Sequence, residues 1–232
     1  MNLKIKDVVE LLQVSEKTVY RWIQDKKIPA YRINHQYRFN KQEINDWIIR
    51  NKITVSEKIF SFSSSKRPIR LITLLQKGGI FYKIKGVSVQ EILKNTVSLM
   101  PVPPEINRET IIASLLAREE MMPTAIGQGI AIPHPRNPLI ANHENESLSI
   151  FFPADAIDYH AIDGEKVHTI FITLSSRPQR HLEVLSKLSH LCQQNEFILL
   201  LKNQAGQEEI FRYIEHKETS WLKTDGTGKA ME

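Results

Sequence analysis

Residues 118–135, near the middle of the chain, read REEMMPTAIGQGIAIPHP. Its IAI triplet is an apolar run typical of a short buried strand. His134 follows that run and stands between Pro133 and Pro135. Because proline rings restrict the backbone torsion angle φ, the pattern predicts a histidine held stiffly at the end of a strand.

Helix and strand patterns alternate on both sides of this stretch. Apolar residues at helical spacing predict helices, and continuous apolar runs predict strands. The helices are LITLLQKG ending at Gly78, VQEILKNTVSLM capped by Ser88, ETIIASLLAREE opened at Asn107 or Arg108, RHLEVLSKLSHLCQQ and QEEIFRYIEH; the strands are IFYKIKG, IAI, LSIFFP and HTIFITLS. This alternation predicts an α/β domain over residues 69–218, in which helices flank a mixed β-sheet.

The positive charge of the chain is concentrated at its start. Of the 31 Lys and Arg and the 26 Asp and Glu, residues 1–52 hold 11 and 6, which leaves 20 and 20 for residues 53–232. The whole excess of +5 therefore lies in the first part. A small basic module joined to a neutral body is typical of a module that binds a polyanion.

Two short helices are predicted in that basic part. An apolar stripe from Val8 to Leu12 predicts the first, while Val19, Trp22 and Ile23 recur at helical spacing in the second. Ser15 is a suitable N-cap for the second helix. Two helices joined by a tight turn, the second with a polar and basic outer face, have the arrangement of a helix-turn-helix.

A β-hairpin and a third helix are predicted next. Period-two alternation places the hairpin turn at residues 34–36, and Asn40 can cap a helix that carries Ile44, Trp47 and Ile48. In stretches such as VSEKTVYRWIQDKKIPAYRI and YRFNKQEINDWI, residues 1–52 resemble the excisionase/MerR-type winged helix-turn-helix domain. The resemblance implies binding to DNA, usually as a homodimer on paired half-sites.

Candidate DNA contacts lie on the outer face of the second helix and on the hairpin, where arginine forks suit phosphates and base edges. The candidates are Lys17, Thr18, Tyr20, Arg21, Arg32 and Arg38. Trp22 and Trp47 are expected in the core. Lys26 and Lys27 fit two interpretations equally, a phosphate contact or a solvated helix end.

Residues 53–68 are predicted to link the two domains. A serine-rich run followed by Lys-Arg-Pro is typical of a flexible tether. The segment from Ile53 to Phe60 is apolar enough either to dock on the protein or to pair with another protomer. Residues 219–232 are predicted to form a C-terminal tail.

The sequence lacks the signatures of most cofactor and metal sites. A single cysteine, Cys192, excludes an internal disulfide and a cysteine-based zinc site. No HExxH spacing, Walker loop, G-x-G-x-x-G fingerprint or G-x-S-x-G motif occurs, so we predict no cofactor and no metal. No apolar run approaches about 18 residues, and the start lacks a signal-peptide core, which predicts a cytoplasmic location without membrane insertion.

The stretch at 118–135 is followed by DGEKVHTIFITLS and then by RHLEVLSKLSHL. In this combination the chain resembles the type-2 enzyme IIA domain of the bacterial phosphotransferase system (PTS), the mannitol/fructose and nitrogen-regulatory (PtsN-like) class. The resemblance covers Leu71 to His216. It implies that a histidine accepts a phosphoryl group from a phosphohistidine carrier, HPr or its nitrogen-branch counterpart. Imidazole suits this role because its ring nitrogen is nucleophilic near neutral pH.

The resemblance also implies roles for individual residues. His134 matches the phosphoryl acceptor, His181 matches the second histidine that hydrogen-bonds the phosphoryl oxygens, and Arg118 matches the arginine that supplies positive charge. Gly127 and Gly129 are expected to let the backbone pass close to the site.

Two positions depart from the family pattern. The family often has STGIG where this chain has PTAIG, so that Ala125 replaces a glycine. Arg136 stands where related chains often carry Gly-Lys, and either partner docking or phosphate contact fits it.

The combination of domains favours a regulator. Phosphorylation of His134 would alter DNA binding, or contacts with a regulated transporter or kinase. The alternative is a phosphocarrier that passes phosphate to an enzyme IIB for sugar uptake, with the N-terminal domain used for protein contacts. A DNA-binding repressor with an inactive enzyme IIA fold is disfavoured, because His134, His181 and Arg118 are all present.

Overall fold

The computed structural model of the protein describes residues 2–12, 14–40, 43, 44, 47 and 69–223. These residues form two units, each with its own sheet and hydrophobic core. The predicted linker at residues 53–68 lies outside the described residues.

Among its described residues, the N-terminal unit has two complete helices and three strands. They are strand β1 (Asn2–Leu3), helix α1 (Ile5–Leu12), helix α2 (Glu16–Gln24), strand β2 (Tyr31–Ile33) and strand β3 (Gln36–Asn40). The Ser15 hydroxyl accepts a hydrogen bond from the Thr18 amide at 3.2 Å, which caps α2 as predicted.

The three strands form an antiparallel sheet in the order β1-β3-β2. The predicted hairpin is confirmed, but its turn consists of Asn34 and His35 alone. Both residues have positive φ, 47° and 61°, as a two-residue hairpin turn of this hand requires. Gln36 already pairs with Ile33 in the sheet. Strand β1 was not predicted from the sequence.

The core of this unit includes both tryptophans. Their rings meet edge to face with 5.3 Å between centroids, and Trp47 Nε1 donates a hydrogen bond to the Lys27 carbonyl. Ile44 and Trp47 are helical and buried, in agreement with the predicted third helix, whereas Ile48 lies outside the described residues. Trp22 and Trp47 are therefore structural, as expected.

The larger unit alternates helices and strands. Its helices are α3 (Leu71–Gly78), α4 (Val89–Leu99), α5 (Arg108–Met121), α6 (Pro178–Leu191), α7 (Asn195–Lys202) and α8 (Gln207–Lys223); its strands are β4 (Ile80–Ile84), β5 (Ala125–Gly127), β6 (Ile130–Ala131), β7 (Ser147–Pro153) and β8 (Thr169–Leu174). Ser88 and Asn107 cap α4 and α5 with their side chains, as predicted.

The five strands form one mixed sheet in the order β4-β7-β8-β6-β5. Strand β4 is parallel to β7, and β6 is parallel to β8, while the β7–β8 and β5–β6 pairs are antiparallel. The predicted fold class, an α/β domain around a mixed sheet, is confirmed.

The central strands β7 and β8 are buried on both faces. Phe152 and Phe171 pack in one core with residues of α3, α6, α7 and α8, and Phe151 and Ile170 pack in a second core with residues of α4 and α5. Burial of each such side chain contributes about 1.5–3 kcal/mol. Two full layers of helices therefore hold the sheet that positions the site.

Three features of this unit differ from the sequence predictions. Strand β5 and helix α7 were not predicted. Helix α8 continues to Lys223, beyond the boundary predicted at residue 218, because Trp221 is buried in the same core as the sheet. Among the described residues, no helix is long and apolar enough to cross a membrane.

Candidate functional site

Sheet topology brings distant parts of the sequence to one edge. Strands β6 and β8 run in parallel, so the chain leaves both of them at the same edge. His134 lies just after β6, and His181 lies in helix α6 just after β8. The antiparallel strand β7 begins at this edge, where Ser147 pairs with Leu174. Strand β5 also begins here, because Ala125 pairs with Ala131.

His134 is buried, with 5% of its surface exposed. Its Nδ1 atom lies 2.7 Å from the carbonyl oxygen of Ile132. A carbonyl oxygen can only accept a hydrogen bond, so Nδ1 carries the proton in this contact. In the neutral ring the lone pair available for chemistry is therefore on Nε2.

His181 lies beside His134. The centroids of the two rings are 5.0 Å apart and the ring planes are inclined by 48°. His181 belongs to the first turn of α6, where its amide donates to the Arg177 carbonyl at 2.9 Å. The structure thus brings together two of the three residues predicted for the site, although they are far apart in sequence.

Arg118 lies in the last turn of α5 and is buried, with 7% of its surface exposed. Its Nη1 atom donates to the Met122 carbonyl at 2.8 Å, across the end of the helix. The chain then enters β5 at the same edge of the sheet as His134. Arg136 is exposed, and its Nη1 atom lies 3.9 Å from the Met121 sulfur.

Glu119 joins the end of α5 to the histidine segment, a role that sequence reasoning missed. Its carboxylate accepts hydrogen bonds from the Thr124 amide, at 2.9 Å, and from the Thr124 hydroxyl. The Thr124 carbonyl accepts from the Ile132 amide at 3.1 Å, and Ile132 is the residue that binds His134. Burial raises the pKa of Glu119, while the hydrogen bonds from Thr124 and the charge of Arg118 oppose that rise.

The glycines of the motif serve the turn between β5 and β6. Gly127 and Gly129 have φ of 86° and 70°, values that favour glycine. A Cβ atom on Gly129 would lie 2.2 Å from Cδ2 of His168, and one on Gly127 would lie 2.6 Å from an Asp163 carboxylate oxygen. The expected close approach is therefore real, but it is to Asp163 and His168 rather than to His134.

The predicted DNA contacts on α2 face away from its core side. Lys17, Tyr20 and Arg21 are exposed, while Val19 is fully buried. Thr18 is half-buried, and its hydroxyl lies 2.9 Å from that of Ser15. The helix therefore presents most of the predicted residues outward.

The two hairpin arginines lie on opposite faces of the ribbon. Arg32 pairs with Tyr37, whereas Arg38 pairs with Tyr31, and neighbouring positions of a strand face opposite sides. Tyr37 contacts Tyr20 of α2 with 6.1 Å between ring centroids, so the face of Arg32 adjoins the outer surface of that helix. Arg38 donates to the Gln36 side chain at 2.5 Å on the other face. The sequence predicted both arginines as DNA contacts and did not distinguish the two faces of the hairpin.

The mixed sheet, two facing imidazoles at one edge and an arginine-bearing helix ending at that edge define an enzyme IIA-type domain. The chain belongs to the family described as phosphoenolpyruvate-dependent sugar phosphotransferase system, EIIA 2, whose family model matches residues 73–217. A second family model, for a helix-turn-helix domain, matches residues 3–52. Both resemblances seen in the sequence are thereby confirmed.

Relatives come from both regulatory and sugar-specific branches. The nitrogen regulatory protein of Pseudomonas aeruginosa is 26% identical over 149 residues, which is 63% of this chain and 95% of that protein. The fructose-specific EIIABC component of Bacillus subtilis is 28% identical over 149 residues, which is 63% of this chain but only 23% of that protein.

A solved structure is similar as well. The crystal structure of the nitrogen regulatory protein IIA-Ntr from Neisseria meningitidis superposes with a TM-score of 0.52 and 26% sequence identity. The superposition covers 58% of this chain and 92% of that one. The larger unit of this chain therefore corresponds to nearly the whole of that protein.

Proposed function

We propose that the larger unit accepts a phosphoryl group on Nε2 of His134 from an HPr-like phosphohistidine carrier. The observation that carries this proposal is the 2.7 Å contact between His134 Nδ1 and the Ile132 carbonyl, beside the His181 ring. The contact fixes the ring orientation and leaves Nε2 as the nucleophilic nitrogen.

The transfer step balances without a cofactor. The lone pair of His134 Nε2 attacks phosphorus while the nitrogen–phosphorus bond of the donor breaks. The donor ring, with its second nitrogen protonated, leaves as neutral imidazole. His134 keeps its Nδ1 proton, so its ring becomes positively charged, and the Ile132 carbonyl stabilises that charge through the existing hydrogen bond.

Positioning and charge stabilisation are the main requirements of phosphoryl transfer. A ring nitrogen of His181 can donate a hydrogen bond to a phosphoryl oxygen on His134, because the two rings are 5.0 Å apart. Arg118 would supply a fixed positive charge to the same group, held at the end of α5 by its bond to Met122. Both groups compensate the negative charge that arrives with the phosphoryl group.

The N-terminal unit would bind DNA through α2 and the adjoining face of the hairpin. The exposed side chains of Lys17, Tyr20, Arg21 and Arg32 support this assignment, and residues 1–52 carry the whole excess charge of +5. Arginine and lysine contacts to phosphates would give a strong dependence of affinity on salt.

The presence of both units in one chain supports a regulatory function. A phosphoryl group adds about −1.5 to −2 charges to the larger unit. That charge would change DNA affinity, or contacts with a regulated transporter or kinase, in response to the supply of phosphorylated carrier. The predicted domains at residues 1–52 and 69–218, joined by a linker at 53–68, fit this arrangement.

A phosphocarrier for sugar uptake is the second candidate. The fructose-specific relative carries enzyme IIA, IIB and IIC portions in its name, and the match covers 23% of it. In this function the phosphoryl group would pass from His134 to an enzyme IIB, and the N-terminal unit would contact a protein.

Phosphorylation in vitro tests the proposal. The full chain would be incubated with phosphoenolpyruvate, enzyme I and HPr, and phosphate incorporation would be followed by mass spectrometry. We expect one phosphoryl group on the wild type, none on His134→Ala, and the wild-type result for His160→Ala, whose side chain is 78% exposed. Equal labelling of wild type and His134→Ala would refute the acceptor assignment.

A DNA-binding assay separates the two candidates. Affinity for a duplex pool would be measured for phosphorylated and unphosphorylated chains, at several salt concentrations. A regulator requires DNA binding at low salt and a difference between the two forms. Rapid loss of the label to an enzyme IIB, without DNA binding, would favour the phosphocarrier.

A further inference from the structure

A buried carboxylate lies at the edge of the sheet where the two histidines meet. Glu146 immediately precedes β7 and has 1% of its surface exposed. Because β7 is antiparallel to β8, its start lies beside the end of β8, from which the chain continues into α6. Neither sequence motif includes Glu146.

The carboxylate of Glu146 binds both sides of the loop that enters α6. Its Oε1 accepts from the Ser176 amide at 3.0 Å and from the Ser176 hydroxyl at 2.6 Å. The Arg180 guanidinium donates through two nitrogens: Nε lies 2.9 Å from Oε1 and 2.7 Å from Oε2, and Nη2 lies 2.6 Å from Oε2. Hydrogen bonds between charged groups are stronger than neutral ones.

These contacts hold the N-terminus of α6 from outside the helix. The N-cap residue of α6, Arg177, makes no side-chain capping hydrogen bond. Glu146 instead holds the residue before the N-cap and a residue of the first turn, and it brings negative charge to a helix N-terminus. His181 follows Arg180 directly, so the same contacts hold the stretch of backbone from which its ring projects.

We propose that Glu146 is a positioning residue that holds His181 against the phosphoryl group on His134. It acts through Ser176 and Arg180 and does not touch the reacting atoms. This inference rests on the proposed function, since His181 must contribute to transfer for its position to matter.

A double-mutant cycle tests the inference on the full chain. Glu146→Gln keeps the shape of the side chain but removes its charge and replaces one acceptor oxygen with a donor. In chains with His181 intact, we expect the substitution to slow transfer from phosphorylated HPr by about 10- to 100-fold, the effect of misplacing a group by roughly 1 Å. In His181→Ala chains the same substitution should change the rate less than twofold, because the positioned ring is absent.

Controls separate positioning from loss of fold. Glu144→Gln alters an exposed glutamate of the same segment and should leave the rate unchanged. Ser176→Ala removes one contact to Glu146 and should slow transfer by about threefold, again only when His181 is present. If Glu146→Gln unfolds the chain, the corresponding cycle with Ser176→Ala and His181→Ala tests the positioning role instead.

Two results would overturn the positioning role of Glu146. An equal slowing by Glu146→Gln with and without His181 would overturn it, because Glu146 would then act on the fold as a whole. A normal rate with His181 intact would overturn it too. Labelling of His134→Ala would instead refute the proposed function, independently of the result at Glu146.

Discussion

Replacing Gly129 with alanine should destabilise the larger unit more than the same replacement at Gly164. The two glycines have almost the same φ, 70° and 71°. They differ in their surroundings, since a Cβ on Gly129 would lie 2.2 Å from Cδ2 of His168, whereas nothing lies within 4 Å of one on Gly164. The pair therefore separates backbone strain from steric conflict.

The expected magnitudes follow from these surroundings. Alanine in a left-handed conformation costs about 1–2 kcal/mol at either position. At Gly129 the His168 ring must also move, which adds an overpacking cost of about 1–3 kcal/mol. The movement would strain the 2.8 Å contact between His168 Nδ1 and the Thr169 hydroxyl, worth about 0.5–1.5 kcal/mol. We expect Gly129→Ala to cost about 2–6.5 kcal/mol, the upper end applying if the contact with Thr169 is lost, and Gly164→Ala about 1–2 kcal/mol.

Both costs can be measured by urea unfolding of the full chain, monitored by far-UV circular dichroism. The transition of each unit is fitted separately. Adding His168→Ala removes the ring and should bring the cost of Gly129→Ala close to that of Gly164→Ala. Equal costs for the two glycine substitutions in chains that retain His168 would mean that the His168 ring does not oppose a Cβ atom at position 129.

Three further predictions concern the site, acid stability and DNA. Arg118→Gln should lower the rate of phosphoryl transfer to His134 by at least about 10-fold, because a charge-assisted contact to the phosphoryl group is lost. Rapid-quench labelling would measure the rate, and an unchanged rate would exclude that contact. Although burial alone would raise the pKa of Glu146, its bonds to Arg180 and Ser176 lower it below the usual 4.5. The stabilisation from Glu146 should therefore be complete above pH 4.5 and be lost as pH falls through the lowered pKa, so the free energy of unfolding should depend less on acid pH in Glu146→Gln than in the wild type. Arg32→Ala should weaken DNA binding, and reduce its salt dependence, more than Arg38→Ala, because the hairpin places only Arg32 on the face that adjoins α2. Fluorescence anisotropy would measure both affinities, and a larger effect at Arg38 would contradict this arrangement.

The sequence predicted the elements with strong periodicity or clear caps. Helices α4 and α5, with Ser88 and Asn107 as caps, begin where expected. Strand β5 is only Ala125–Gly127, too short for a periodic signal, and it becomes a strand through pairing with β6. Strand β1 likewise depends on its partner β3, which no local pattern reveals.

The candidate site was only partly visible in the sequence. The resemblance to a known family pointed to His134, His181 and Arg118 and predicted their roles in phosphoryl transfer. Glu119 and Glu146 were missed, because each acts through contacts that only the folded chain creates. Glu146 reaches its partner Arg180 across neighbouring strands of the sheet, and its sequence neighbourhood resembles an ordinary polar loop.

The most direct test of phosphoryl transfer to His134 is to identify the phosphorylated atom. The full chain, labelled with ¹⁵N at histidine and phosphorylated by enzyme I and HPr, would be examined by NMR, in which long-range couplings distinguish the two ring nitrogens. We predict one phosphohistidine, at position 134, with phosphorus on Nε2 and the proton retained on Nδ1. Phosphorus on Nδ1, or on another histidine, would contradict it.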